Sequence, residues 1–461
     1  MKLVEVGSED PAKLRPVLGA ERTRTLKEAL RDAGTALAGR TVWQVNTTAA
    51  GGGVAELSHA LLPYVRGAGI DVRWLVLTAD SQFVDTAKRL CLLLYGLDVA
   101  EPDDAAHAHY TEVCETAAAR LAAALRPGDV VILHDPQTAG LAPVLHRAGA
   151  HVVWRCHIGA DAPTTGSTRV RERLHPSLTA ADLLVFSTRR HIPAPWRNMP
   201  ERTRVIPPSL DPLSVKNRDM DADTAARILG GSGLLASAAG ASPLRISRIT
   251  DGPPIPAQAP LVAQVSRWDP LKDMRGVMDA FRAALGDPGA DGAHLLLAGP
   301  DVTAVADDPG GAAVLRDCHE GWSRLSARDR ERVHLVTIPM DDPVANATVV
   351  AAIQRHAAVV VQKSLAEGFG LTVTEAMWKA RPVVATAVGG IVDQISDEHE
   401  GILVPDPHDH AAVARHLVRL LTAPALAARL GTAARERVHR DFLPDRHLGQ
   451  WAAALHHLVA S

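Results

Sequence analysis

Two glutamates with seven residues between them, Glu367 and Glu375, flank a Gly-Phe-Gly turn in the stretch SLAEGFGLTVTEAMWKARPVV. Upstream, AAVVVQKS is apolar and β-branched enough for a buried strand, and downstream LTVTEAMWKA spaces its apolar residues for a helix. Strand, loop and helix are therefore expected in that order. Gly368 and Gly370 free the backbone there, so that N–H groups at the helix start can face a ligand. Glu367 falls in the loop and Glu375 about one and a half turns into the helix, some 7 Å further along at about 1.5 Å per residue. A ligand reaching both needs hydroxyls for two carboxylates and negative charge for the amides between them. A nucleoside diphosphate sugar has that order of groups. The same pattern also fits a plain strand-to-helix turn followed by a solvated glutamate, and spacing alone leaves both readings open.

Other chemistry-bearing residues sit at predicted strand ends. Arg267 and Lys272 in QVSRWDPLKD lie five residues apart around a Pro-containing turn, where a guanidinium fork and an ammonium could share one diphosphate or stand as two surface cations. Asn46 and the run Gly51, Gly52, Gly53 form the first strand-to-helix turn, where bare backbone can approach a ligand. His134, Asp135 and Gln137 in ILHDPQ and His157 in WRCHIGAD end two further strands, as catalytic or merely capping groups. Two metal-like clusters carry less. Asp219, Asp221 and Asp223 in DMDAD follow no buried strand, and Asp406, His408, Asp409 and His410 in DPHDH suit a turn that opens a capped helix.

The elements that must position these residues alternate strand and helix, which predicts an α/β protein with parallel sheets. Residues 1–212 are expected to form a first Rossmann-like domain, with a long helical stretch over 82–126. Residues 213–259, rich in Gly, Ser, Ala and Pro, read as a linker region. A second Rossmann-like domain is predicted over 260–440. The amphipathic segment 441–461 is predicted to be a helix packing back across the domain boundary. The chain has 461 residues and a net charge of −3 with only 3% aromatic residues, which argues against a nucleic-acid groove. Cys91, Cys114, Cys156 and Cys318 match no zinc or redox spacing and suit a reducing compartment. With no apolar leader or spanning segment, a cytoplasmic protein that binds no membrane is expected.

EGFGLTVTE, with Arg267 and Lys272 upstream, resembles the donor site of retaining GT-B glycosyltransferases of family 4. The stretches VNTTAAGGGVAELSHALLPYVRGAGIDVRW, WRCHIGAD, IPPSLDPLSVKN and QVSRWDPLKD are similar to the trehalose glycosyltransferring synthases within that family. So is VVVQKSLAEGFGLTVTEAMWKARPVVATAVGGIVDQI, and the resemblance covers residues 40 to 405. It implies a GT-B fold, two Rossmann-like parallel-sheet domains with an interdomain cleft. It also implies transfer of glucose from a nucleoside diphosphate glucose, such as UDP-glucose or ADP-glucose, to glucose, reversibly giving α,α-trehalose.

By the same resemblance, Glu367 contacts donor sugar hydroxyls, Gly368, Phe369, Gly370, Leu371 and Thr372 offer backbone to sugar and diphosphate, and Glu375 holds the ribose. Arg267 and Lys272 act catalytically on the leaving diphosphate, and His157 lies near the donor sugar. Gly52 and Gly53 approach the diphosphate, Ile338 and Pro339 meet the base, and Asn46, His134, Asp135 and Gln137 serve the acceptor. No metal and no cofactor is implied, the partners are the donor and a sugar acceptor, and a homodimer is allowed. Where many family members have Pro before the loop Ser and Glu after the Gly-Gly turn, this chain has Lys363 and Asp393. Three other readings are a relative with a different sugar or pseudo-sugar acceptor, a non-catalytic sugar-nucleotide sensor, and a dinucleotide-dependent oxidoreductase using Gly51, Gly53 and Asp80. The last meets Glu56 where Gly or Ala is needed.

Overall fold

Runs of Val, Leu and Ile form the strands of the computed structural model, which describes residues 1–197, 199–236, 246–303 and 310–460. The chain divides into two units, Met1–Asp211 together with Phe442 onward, and Pro212–Asp441. The first holds β1 (Lys2–Val4), β2 (Val42–Asn46), β3 (Val72–Val76), β4 (Val130–His134), β5 (His151–Cys156), β6 (Leu183–Phe186) and β7 (Thr203–Val205). Among the described residues these make one sheet of order β1-β3-β2-β4-β5-β6-β7. Only β1 runs antiparallel, and the register sets Asn46 beside Val76 and His134 beside Arg155. The strand order reverses between β2 and β4. In open α/β sheets, ligands bind outside the carboxyl ends of strands at such a point.

The second unit holds β8 (Ser247–Arg248), β9 (Leu261–Val265), β10 (His294–Pro300), β11 (Val333–Ile338), β12 (Val359–Gln362), β13 (Val383–Thr386) and β14 (Ile402–Val404). Their order is β14-β13-β12-β9-β10-β11-β8. All but β8 are parallel, and the order reverses between β9 and β12. The turn bearing Arg267 and Lys272 leaves β9, and the loop bearing Glu367 leaves β12. Topology alone brings the two together.

Helices cover both sheets because their apolar residues recur at helical spacing. The helix Met274–Ala284 buries Met274, Val277, Met278, Phe281 and Ala284. Truncating Phe281 there would cost about 3–5 kcal/mol. In the first unit Phe83, Tyr110, Leu133, Trp154 and Phe186 share a core. Its terminal helix Pro444–Ala460 lies against the helix Arg15–Ala36, where Arg22 grips Asp445 through Nε and a second nitrogen at 2.7 and 2.8 Å. Arg446 donates to the Pro208 carbonyl at 2.7 Å.

One local expectation differs from the structure. The helical stretch over 82–126 is two helices, Ser81–Leu94 and Asp104–Ala122. Gly96 takes a left-handed φ of 85° after the first, and Asp103 caps the second. Residues 213–259, read as a linker region, carry some regular structure. Asp221 caps a helix Ala222–Gly231 that buries Ala225 and Leu229, and β8 pairs with β11, whereas 237–245 lie outside the described residues. DMDAD is thus a helix start, and its Asp219 pairs with Arg435 at 2.8 Å. DPHDH also opens a helix, with Asp409 accepting from the Ala412 N–H.

Candidate active site

In the second unit, β12 ends at Gln362 and the helix Leu371–Trp378 begins after Gly370, whose φ of 89° favours glycine. As N-cap, Gly370 offers no side-chain acceptor to the first helical N–H groups. The loop between is fixed from behind. Gly389, at φ 51°, packs so closely that a Cβ there would overlap the Glu367 carbonyl oxygen, and a Cβ on Gly390 would meet the Phe369 Cα at 2.8 Å. Gln394 Nε2 donates to the Phe369 carbonyl, and Thr374 Oγ1 donates to Gln394 Oε1 at 2.7 Å. Thr372 Oγ1 donates to Gln362 Oε1 at 2.9 Å, tying the helix start to the strand end. Phe369 is itself buried.

Glu367 receives Lys272 Nζ in an ion pair, and Ser364 Oγ donates to the same carboxylate oxygen at 3.2 Å. The Lys272 and Glu367 side chains are 15% and 8% exposed, enough for a ligand to reach but too little for water to screen the pair well. Arg267 sits on the same turn but points elsewhere, pairing with Asp269 at 2.7 Å with 44% of its side chain exposed. Of the two cations, Lys272 is the one brought to Glu367.

Glu375 lies deep in its helix, 2% exposed. Lys216 Nζ donates to one of its oxygens at 2.8 Å and Gln354 Nε2 to the other at 2.9 Å. Burial pushes its pKa up, but the charges of Lys216 and Lys379 and these hydrogen bonds outweigh burial and hold it below the ordinary value. Glu375 is therefore a carboxylate near neutrality. Ile338 ends β11 with its carbonyl accepting the Asp301 N–H at 3.0 Å, and the Pro339 carbonyl accepts from Asn346 Nδ2 at 2.9 Å.

In the first unit, the residues after β4 and β5 converge. Asp135 adopts a left-handed φ of 59°, its Oδ1 accepts the His157 N–H at 2.7 Å, and its carbonyl accepts the Trp154 indole N–H at 3.0 Å. His134 Nε2 lies 2.7 Å from Gln44 Oε1, and its Nδ1 lies 2.9 Å from His157 Nε2. Since Gln44 Oε1 only accepts, His134 carries its proton on Nε2 and accepts at Nδ1 from His157. Burial and the nearby Arg155 push His134 down to about 3, and burial carries His157 well below its usual value. Both rings are neutral at pH 7. Burial also raises Asp135 to about 7, against the His157 N–H and Arg155.

Gln137 lies in the short helix Asp135–Ala139, and its Oε1 is buried with no hydrogen-bond partner among the described residues. Asn46 is committed to shaping its loop, its Nδ2 donating to the Thr48 carbonyl at 2.7 Å and its Oδ1 accepting from Trp74 at 2.9 Å. Gly51 takes φ 79°, Gly52 is the extended N-cap, and Gly53 opens the helix Gly53–Gly67. A cavity of about 90 Å³ in this unit touches His134 and His157, but aliphatic residues such as Leu30, Leu61 and Val72 dominate its lining. Sugar hydroxyls would find few partners in it.

Sequence reasoning missed Gln44, Lys216, Gln264 and Gln354. Gln44 lies within a strand, Lys216 in a stretch without periodicity, and Gln354 on a helix, so no local signal marks them. Lys363 was visible only as a departure from the family pattern.

Residues 44–193 match the family described as the trehalose synthase N-terminal domain, and residues 343–437 match glycosyl transferases group 1. The chain is 34% identical over 441 residues to a trehalose synthase of Rubrobacter xylanophilus, covering 92% of each chain. It is 30% identical over 448 residues to a trehalose synthase of Pyrococcus horikoshii, covering 96% of this chain and 95% of that one. Among solved structures, an alpha,alpha-trehalose-phosphate synthase (UDP-forming) from Burkholderia vietnamiensis is similar at a TM-score of 0.68 and 18% identity, covering 90% of this chain and 98% of that one. At that identity the likeness speaks to fold, and the fold is that of the GT-B glycosyltransferases.

Proposed function

Since this chain belongs to the trehalose synthase family of glycosyltransferases, we propose that it moves glucose from a nucleoside diphosphate glucose to free glucose, giving α,α-trehalose with retention of configuration. The observation that carries the reading is the Lys272–Glu367 pair at the point where the second sheet reverses its strand order. A carboxylate there suits donor sugar hydroxyls, and the ammonium beside it suits the phosphate oxygen on which charge develops as the C1–O bond breaks. Arg267, on the same turn and partly exposed, adds a second cation once a diphosphate competes with Asp269. Glu375, kept ionised by Lys216, accepts from the ribose hydroxyls, backbone from Gly368 to Thr372 lines the diphosphate, and Ile338 borders the base.

In this mechanism the acceptor hydroxyl enters on the face that the diphosphate leaves. The new C1–O bond forms there, and the hydroxyl proton passes to the departing phosphate oxygen. No protein nucleophile is needed, because both glutamates are engaged in binding, so the enzyme contributes orientation and charge stabilisation. His157, His134, Asp135 and Gln137 serve the acceptor. The unsatisfied Gln137 Oε1 supplies an acceptor for a sugar hydroxyl, while His134, held by Gln44 and His157 through both ring nitrogens, orients His157.

Release of nucleoside diphosphate from UDP-, ADP- and GDP-glucose, with and without glucose, tests the proposal. Glucose-dependent release is expected with at least one donor. Release that depends on another sugar but not on glucose contradicts the trehalose assignment, and none with any acceptor contradicts the transferase itself.

A further inference from the structure

Lys363 is fully buried between β12 and the Glu367 loop, and its Nζ forms an ion pair with Asp273. A lysine so placed is costly unless its charge is met, and Asp273 is the side chain that meets it. Asp273 is the residue directly after Lys272. It takes an uncommon left-handed conformation, φ 43° and ψ 49°, at the junction of the 3-10 turn Pro270–Lys272 and the helix Met274–Ala284. Its two carboxylate oxygens divide the work: Oδ1 accepts the Gly276 N–H at 3.0 Å as the helix cap, and Oδ2 takes Lys363.

A second tie converges on the same turn. Gln264, buried on β9, donates through Nε2 to the Lys272 carbonyl at 2.7 Å and accepts the Lys363 backbone N–H at 3.0 Å. The Leu365 N–H donates to the Leu271 carbonyl at 2.8 Å. One residue further along the chain, Ser364 Oγ reaches Glu367. The main chain on both sides of the Lys272 side chain is therefore pinned to the residues that also carry Glu367. The site has no slack around the pair: a Cβ on Gly276 would lie 2.7 Å from Lys363 Nζ.

We infer that Lys363 is a positioning residue. Through Asp273 and Gln264 it sets the turn that aims Lys272, so that the ammonium meets the leaving phosphate oxygen in the transition state. The inference rests on the donor-site reading above. It assigns Lys363 no contact with substrate, and it explains why a lysine rather than proline can precede Ser364.

The test compares Lys363→Met, the double variant Lys363→Met with Asp273→Asn, and Gly276→Ala with Lys272→Ala. Asparagine at 273 keeps the cap and tolerates the left-handed backbone. Rates of nucleoside diphosphate release and thermal midpoints are measured for each. The single Lys363 variant, which leaves the half-buried Asp273 carboxylate without its cation, should lose thermal midpoint and kcat together. The double variant should regain most of the midpoint, yet keep a kcat lowered at least about tenfold with donor KM within about threefold, the signature of lost transition-state alignment. Gly276→Ala, which displaces the pair without removing a charge, should give the same split.

A double variant with kcat within about twofold of the parent, beside a Lys272→Ala variant reduced about a hundredfold, overturns the inference and leaves the pair a packing feature. A Lys272→Ala variant at the parent rate overturns the donor-site reading, and the positioning role falls with it.

Discussion

Replacing Lys272 by alanine removes the cation that touches Glu367 while sparing the fold, since the side chain ends the 3-10 turn Pro270–Lys272 and its main chain stays tied by Gln264. The magnitude follows from burial. Two unit charges about 4 Å apart interact by about 4 kcal/mol at an effective dielectric of about 20, the value suited to partly exposed protein sites. With 15% of its side chain exposed, Lys272 belongs to that regime rather than to bulk water. Part of this interaction is already present in the bound ground state, and Arg267 on the same turn supplies some compensation. About 3 kcal/mol lost only in the transition state corresponds to about a hundredfold in kcat. Lys272→Arg keeps the charge but changes its reach, so it should recover part of the loss. The assay is steady-state nucleoside diphosphate release at saturating donor and acceptor, with folding checked by thermal midpoint. A folded Lys272→Ala variant within about threefold of the parent kcat would refute the electrostatic argument.

Lys216→Met removes a charge that holds Glu375 ionised, so on the proposed ribose-binding role of Glu375 it should raise the donor KM by about tenfold with a smaller change in kcat; an unchanged KM would contradict that role. Asp135 should make stability pH-dependent. Its raised pKa means the folded state holds a proton that the unfolded chain releases, so its contribution is complete below about pH 4 and is lost as pH rises to about 7. His134, depressed to about 3, acts in the opposite sense at acid pH, its contribution being lost as pH falls from about 6.5 towards 3. The difference between parent and Asp135→Asn isolates the first effect: the parent's thermal midpoint should fall relative to the variant's from pH 5 to pH 7.5, and parallel curves would contradict it. If Lys272 and Arg267 meet the developing charge as proposed, EDTA should leave most of the activity, and complete loss restored by Mg²⁺ or Mn²⁺ would contradict that division of labour.

The sequence was most informative where chemistry is local. Glu367, the glycines after it and Glu375 lie in one strand-loop-helix unit, whose polarity and periodicity can be read within about twenty residues. Lys272 was legible for the same reason, since a turn after a buried strand is a ligand-facing position in parallel sheets. What the side chains do with one another was not legible. Lys216 meets Glu375 across 159 positions, Lys363 meets Asp273 across 90, and Gln264 meets Lys363 across 99. The last two contacts exist only once β9 and β12 lie side by side, and the first only once the stretch bearing Lys216 packs on the helix Leu371–Trp378. Arg267 shows the limit from the other direction, since spacing pairs it with Lys272 but Asp269, two residues away, takes its guanidinium. The composition of 213–259 does not say where a short helix falls within it, and the structure sets it at Ala222–Gly231 behind an aspartate cap.

The central claim, transfer with retention from donor to free glucose, is tested most directly by proton NMR of the product formed from an α-linked nucleoside diphosphate glucose and glucose. A hydroxyl entering on the face that the diphosphate leaves preserves the α configuration, and joining two anomeric carbons makes the halves equivalent. The account predicts a single α-anomeric signal for both halves of a non-reducing disaccharide. A β-anomeric signal at the transferred glucose would contradict it.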